Sequence, residues 1–237
     1  MRRIQGLSDI DTKQASFLLG AKHAAAEPAI ILFLALISFG VTASDAGFSS
    51  AEALLSTALL WALPAQLAHA ESIAVGSGII ASVAAIVLTN LRFFPMIISL
   101  LPQLSLNKAA LPTVGVSHFV TATSWAWCMD RLDRLPKTLR APYFFGFSIC
   151  CWLLGIAGTA TGLILADSLP PLVKLLVLYI APLYMLLLLA GVRGHRLLAL
   201  LVGAGVGLVL FLFGNTWYLP IAAIVGGSAG FIARRPE

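Results

Sequence analysis

The segment Leu88-Thr89-Asn90-Leu91-Arg92-Phe93-Phe94-Pro95 sets an amide and a guanidinium close together in an apolar run, just before a proline. A helical proline lacks the N–H that would reach back one turn, so a carbonyl near Leu91 loses its partner. Freed backbone, the Asn90 amide and the paired-donor fork of Arg92 can together hold a carboxylate. Arg92 has a second reading, as an arginine that snorkels to an interface or ties to Glu71 or a loop carbonyl. Another polar group follows Pro64: Gln66, His69 and Glu71. Gln66 can bond an ammonium or a carboxylate. His69 and Glu71 can relay protons, since imidazole titrates near neutral pH, or they are solvated residues at a loop end. Pro182 repeats the mid-helix break of Pro64. Glu27, directly before Pro28, reads as a helix start favoured by the dipole and also as a candidate coupling acid. His118, in Gly115-Val116-Ser117-His118, can face a bundle centre.

Groups of this kind bind and release a solute. They do not cut one. The chain has no nucleophile elbow, no phosphate-binding glycine loop and no His-Glu metal helix, so no catalytic residue, metal ligand or cofactor is expected, and no enzyme. The cysteines Cys128, Cys150 and Cys151 lack metal-ligand spacing and read as small packing residues.

The elements that must carry these residues are apolar throughout. Hydrophobic residues make up 59% of the 237 and charged ones 11%, and the mean hydropathy is +0.96. The reading is an all-α polytopic transmembrane bundle of about seven or eight spans with proline-broken helices. The spans are Pro28–Ser44, Leu54–Ala70, Ile79–Leu101, Pro112–Met129, Pro142–Ala166, Leu172–Gly191, Leu197–Gly214 and Trp217–Ala233. Spans three and seven either cross fully or turn back. An amphipathic lead-in from Phe17 to Glu27 precedes the first. Residues 1–16 form a cytoplasmic tail without the apolar core of a signal peptide, and 17–237 form one transmembrane domain.

Charge placement sets the expected orientation. Arg2, Arg3, Lys13, Lys22, Arg131, Arg134, Lys137, Arg140, Arg193, Arg196, Arg234 and Arg235 fall on one side if both termini are cytoplasmic, leaving Lys108 and Lys174 outside. The net +5 is scattered over loops, which excludes a nucleic-acid-binding face. Trp125, Trp127, Tyr143, Trp217 and Tyr218 stand where interfacial anchors belong.

Displacing the sequence against itself pairs Gly40 with Gly158, Trp61 with Tyr179, Pro64 with Pro182 and Gly76 with Gly194, consistent with repeat halves 17–129 and 141–233. Matching breaks in two halves point to a solute site, because interrupted helices expose backbone polar groups at membrane depth. A simple proline kink is the alternative. Gly158/Gly162, Gly203/Gly207 and Gly226/Gly230 are small-residue pairs that let helices approach closely.

In its ordered segments the chain resembles the AzlC family of branched-chain amino acid permeases, which includes the large subunit of bacterial valine exporters. The resemblance runs through Phe39-Gly40, Ala46-Gly47-Phe48-Ser49 with Glu52, Trp61-Ala62-Leu63-Pro64-Ala65-Gln66-Leu67, Asn90-Leu91-Arg92, Gly115-Val116-Ser117-His118, the stretch from Gly146 to Gly162, and Ala181-Pro182-Leu183. It departs where His118 and Phe119 stand in place of an acidic pair, Phe93 replaces a histidine, and Asn90 takes the neutral option. The resemblance implies a multi-pass protein of the bacterial cytoplasmic (inner) membrane that exports small apolar amino acids with a small AzlD-like membrane subunit. A homo-oligomer is open. Gln66, Pro64, Asn90, Arg92 and Pro182 are then the candidate solute-binding residues, and His69, Glu71, His118 and Glu27 the candidate coupling residues. An uncoupled channel, or a subunit inactive without its partner, are the alternatives.

Overall fold

The computed structural model describes residues 12–74, 76, 78–106, 110–180, 183, 195–214 and 218–233, and no strand occurs among them. Pro182, Arg2, Arg3, Lys108, Arg193, Gly194, Arg234, Arg235, Trp217 and most of span six after Ile180 lie outside the described residues. Two units are distinguished, Met1–Pro182 and Leu183–Glu237.

The first unit is built on a trunk of three helices. The lead-in is a helix of its own, α1 (Lys13–Ala26), capped by Thr12, whose hydroxyl accepts from the Ala15 N–H at 3.1 Å. Glu27 then caps α2 (Pro28–Asp45) by position, with Pro28 at the first turn where its missing N–H costs nothing. The Glu27 side chain makes no capping bond and is exposed. The long helix, labelled α9 (Lys137–Ala166), packs along both. Ser16, Gly20 and Ala24 are the buried stripe of α1, and Ser16 Oγ donates to the Leu139 carbonyl at 2.7 Å. On α2, Gly40 lies against the backbone of Thr159 and Gly162, while Gly158 and Gly162 lie against the carbonyls of Phe33 and Ile37. Phe33 with Gly158 and Ile37 with Gly162 advance together, so α2 and α9 run parallel. Parallel helices need an odd number of crossings between them, and the three spans read between them from the sequence agree with that direction.

The stretches read as spans two and four are each interrupted and double back. Span two is interrupted: α3 (Ser50–Leu60) ends at Trp61, which takes a left-handed backbone (φ 46°), and α4 (Leu63–Ala74) follows. Thr57 meets Thr159 and Trp61 meets Gly155, so α3 runs antiparallel to α9. The second arm then climbs back. Gln66 returns to Thr57, and the His69 ring stands edge-on to Phe48, in the loop before α3, with 5.2 Å between centroids. The pair is a hairpin entering from the Asp45 end.

Span three continues without doubling back, as α5 (Ile79–Asn90) and α6 (Phe93–Leu100). It starts beside α4, where His69 meets Ser82, and finishes at the opposite end, where Arg140 Nη1 donates to Gln103 Oε1 at 3.2 Å. Leu91 and Arg92 keep right-handed dihedrals, and the Leu91 carbonyl that Pro95 cannot serve accepts instead from the Phe94 N–H at 3.1 Å. The expected freed carbonyl at this proline is therefore satisfied by local tightening.

Span four mirrors span two. Helix α7 (Ala110–Phe119) ends at Val120, and α8 (Ala122–Arg131) begins after Thr121. Leu104, before α7, and Leu132 and Leu135, after α8, share one buried cluster with Val116, Val120 and Tyr143. Trp125 Nε1 donates to Ser99 Oγ at 2.9 Å on the way back. This hairpin enters from the Arg140 end. Thr121 and Ser124 cap α8 reciprocally, N–H of each to the hydroxyl of the other at 2.8 and 3.1 Å. Thr121→Val should cost about 1 kcal/mol, read as faster hydrogen exchange confined to the first turn of α8.

Beyond α9, α10 (Pro171–Leu178) follows, tied back by Lys174 Nζ donating to Asp45 Oδ1. In the second unit, α11 (His195–Leu212) and α12 (Tyr218–Ile232) pack antiparallel, with Gly203 near Ala222 and Gly226 near Ala199 and Gly203. The small-residue pairs of the sequence are thus helix seams in both units. Cys128 and Cys151 are buried among apolar neighbours, and all three cysteines are unbridged.

Candidate functional site at the hairpin tips

The two hairpins meet at the middle of α9. Trp152 Nε1 donates to the Ala58 carbonyl in the last turn of α3 at 3.1 Å. The other side of the same indole packs edge-on against Phe119 (5.9 Å between centroids) and His118 (6.5 Å) at the end of α7. One turn further along α9, Gly155 leaves room for Trp61: a Cβ there would lie 2.5 Å from the Trp61 ring and 2.7 Å from Leu36. Ser148, Trp152, Gly155 and Thr159 follow helical spacing and form one stripe of α9.

Each tip exposes both ends of a helix dipole. The last carbonyls of α3 and α7 and the first N–H groups of α4 and α8 lack intrahelical partners by construction. Some are used locally, as Ser124 Oγ donates to the Phe119 carbonyl at 3.1 Å. Pro64 sits in the first turn of α4, half-buried, where no N–H is needed. The break comes before it, at Trp61–Ala62, so Pro64 begins the second arm and does not kink a continuous span.

Gln66 is fully buried in this junction. Its Nε2 donates to Thr57 Oγ1 at 2.9 Å, and Thr57 Oγ1 shares a hydrogen with Thr159 Oγ1 at 2.8 Å. Gln66 Oε1 has no hydrogen-bond partner among the described residues, and neither do Trp61 Nε1 and Ser148 Oγ. A buried unpaired polar atom costs roughly 1–3 kcal/mol, so such a group marks a place where something else completes the bonding. Among the described residues the buried polar side chains are Ser16, Ser38, Thr57, Gln66, Ser82, Thr121, Ser124, Ser148 and Thr159, all neutral.

The other candidates from the sequence lie elsewhere. Arg92 is exposed on the α5–α6 crossing, its guanidinium 5.0 Å from the Phe93 ring centroid, apart from the buried Gln66 group. Asn90, at the end of α5, is half-buried, and its Oδ1 has no partner among the described residues. His69 Nδ1 is 2.7 Å from Ser82 Oγ, and Glu71 is exposed. His118 is half-buried against Trp152. Pro182 is outside the described residues.

Sequence reasoning missed Thr57, Trp152 and Thr159, ordinary residues in apolar helices whose meeting depends on the tertiary fold. The Thr121-x-x-Ser124 spacing, a helix start in the middle of an apparent span, was the one local signal of the second hairpin. Among the described residues no three His, Cys, Asp or Glu side chains gather as a metal would need.

No curated protein and no solved structure matches the chain. A family model described as AzlC protein matches residues 28–169, from the first residue of α2 to just beyond α9, and so takes in both hairpins and the stripe between their tips. Matched over more than half of its length, the chain belongs to the AzlC family, a family of membrane proteins associated with transport.

Proposed function

We propose that this protein is a secondary transporter that exports branched-chain or similar small apolar amino acids across the bacterial cytoplasmic membrane. The observation that carries the reading is the meeting of two opposed helical hairpins at Trp152. A solute held there is separated from each side by one hairpin, which is what alternating access requires. The N-terminal ends of α4 and α8 suit a carboxylate, while the unpaired Gln66 Oε1 and the carbonyl end of α3 suit an ammonium. Both charges of a zwitterion are answered without any buried charge among the described residues. Leu36, Trp61 and Phe119 offer apolar surface for the side chain.

Lys22, Arg131, Lys137 and Arg140 lie toward the end where α1 and α9 begin, which supports a cytoplasmic location for that end. Export direction and ion coupling follow the family resemblance. So does a small AzlD-like subunit, for which α5–α6 supplies an apolar face: Ile80 and Phe94 are 84% and 68% exposed. Reconstitution with and without that subunit separates a self-sufficient carrier from a subunit that is inactive alone, and a pH gradient separates a coupled carrier from an uncoupled channel.

Calorimetry on the purified chain tests the site. Valine should bind, while valinamide and isovalerate, each lacking one charge, should bind at least about tenfold more weakly, the worth of one charged hydrogen bond. Equal binding of isovalerate and valine would remove the ammonium role of Gln66, and no binding of valine or leucine would remove the substrate class.

A further inference from the structure

At the Arg140 end, three elements are joined through one phenol. His23 Nδ1 of α1 is 2.8 Å from Tyr143 Oη of α9, and Trp127 Nε1 of α8 donates to the same oxygen at 3.0 Å. An indole N–H can only donate, so the Tyr143 oxygen accepts from Trp127 and its own proton goes to His23 Nδ1. His23 is thereby fixed as a neutral acceptor at that nitrogen. The seat is tight around it: Tyr143 is fully buried, Trp127 stacks on Phe147 at 5.5 Å, and the Arg131 guanidinium lies 3.6 Å over the Trp127 ring.

We propose that His23 is the proton-binding site of this transporter, and that a proton on Nδ1 unseats α8, the second arm of the hairpin from the Arg140 end. Protonation turns the acceptor into a donor. Tyr143 Oη then faces two donors, and its own hydrogen must find an acceptor among Phe144, Phe147 and Cys128. The inference rests on the transport reading for its purpose, though not for its chemistry.

The charged and titratable neighbours favour the same outcome. Lys22 flanks His23 on α1. From α8 come Cys128, neutral, and Arg131, whose cation is only partly offset by the exposed Asp130 at 3.0 Å. From α9 comes Tyr143, while Arg140 is turned to Gln103, the Leu135 carbonyl and Asp133. Burial first, then Arg131 and Lys22, hold His23 below its ordinary value near 6.5. The unfolded or unseated chain therefore binds the proton more readily, and the seated form loses stability as pH falls below that value. His69 lacks this device: its partner is the Ser82 hydroxyl, which can rotate from donor to acceptor.

Hydrogen exchange of α8 in the full-length protein, followed from pH 8 to pH 5 and corrected for intrinsic rates, tests the switch. Protection of wild type should fall about tenfold for each pH unit between the ordinary imidazole titration near 6.5 and the lowered titration of the seated ring, and level off below it, and His23→Gln should show no such fall. Trp127→Phe removes the obligate donor, so Tyr143 can reverse; His23 should still titrate by NMR while α8 exchange stops following it. A pH-independent α8 in wild type, or an unchanged pH response in either variant, overturns the proposal. If His23→Gln does not fold, Trp127→Phe carries the test. Valine binding at pH 8 on the same samples reports on the solute site separately, so its absence would defeat the transport reading and leave the switch standing.

Discussion

Gly162→Val should leave no folded protein. The α2–α9 seam has backbone against backbone: Gly162 lies on the Ile37 carbonyl and the Gly40 Cα, and Gly40 lies on the Thr159 carbonyl. A flexible side chain could swing aside for a new methyl, but a helical carbonyl cannot. The helices would have to separate along their length, which uncovers Phe39 and Leu36, both buried. Overpacking a core costs roughly 1–3 kcal/mol where side chains can adjust. With backbone as the obstacle the loss should exceed about 3 kcal/mol, a large share of ordinary domain stability. Gly227, whose added Cβ would meet nothing within 4 Å, supplies the control. Detergent-solubilised Gly227→Ala should elute and melt as wild type, whereas Gly162→Val should be recovered only as aggregate. A monodisperse Gly162→Val protein with an unchanged melting temperature would mean that the trunk is not packed this way.

Gln66→Leu should have the opposite signature, with transport lost and stability kept or raised. In the empty protein Gln66 spends one amide nitrogen on Thr57 and leaves its oxygen unpaired. Leucine, similar in size, removes that orphan, and Thr57 retains Thr159. Replacing a half-satisfied polar group by an apolar one is close to neutral or stabilising. The lost bond to an ammonium, however, is worth roughly 1.5–3 kcal/mol, or about 10- to 150-fold in affinity. Export of labelled valine from loaded cells, paired with a thermal melt, reads both quantities. A variant that transports like wild type removes Gln66 from the solute site, and one that fails to fold would place the glutamine in the structural core alone.

The crossings were legible and the hairpins were not, for a definite reason. Pro28–Asp45, Ser82–Leu104 and Lys137–Ala166 are long apolar helices whether isolated or packed. The stretches 50–74 and 110–131 are apolar enough to read as spans although less so than those helices, and hydropathy does not record whether a chain continues or doubles back. The left-handed turn at Trp61 has no glycine or asparagine to announce it. Pro64 and Gln66, a proline and an amide in an apolar run, are local signals, and both fall at the tip of the first hairpin. Asn90 and Arg92 gave an equally strong local signal, yet Arg92 is exposed on α5–α6. His23 was passed over because its partner stands 120 positions away in the chain, and no spacing rule reaches that far.

The buried polar groups at the Trp152 junction are hydroxyls and an amide, with no carboxylate or ammonium side chain buried there among the described residues. A metal cation would find neutral oxygens there but no opposite charge to offset the loss of its hydration shell. On the proposed function, a molecule that brings both signs of charge on one small frame suits that neutrality, and the same neutrality shields the cell's ionic gradients.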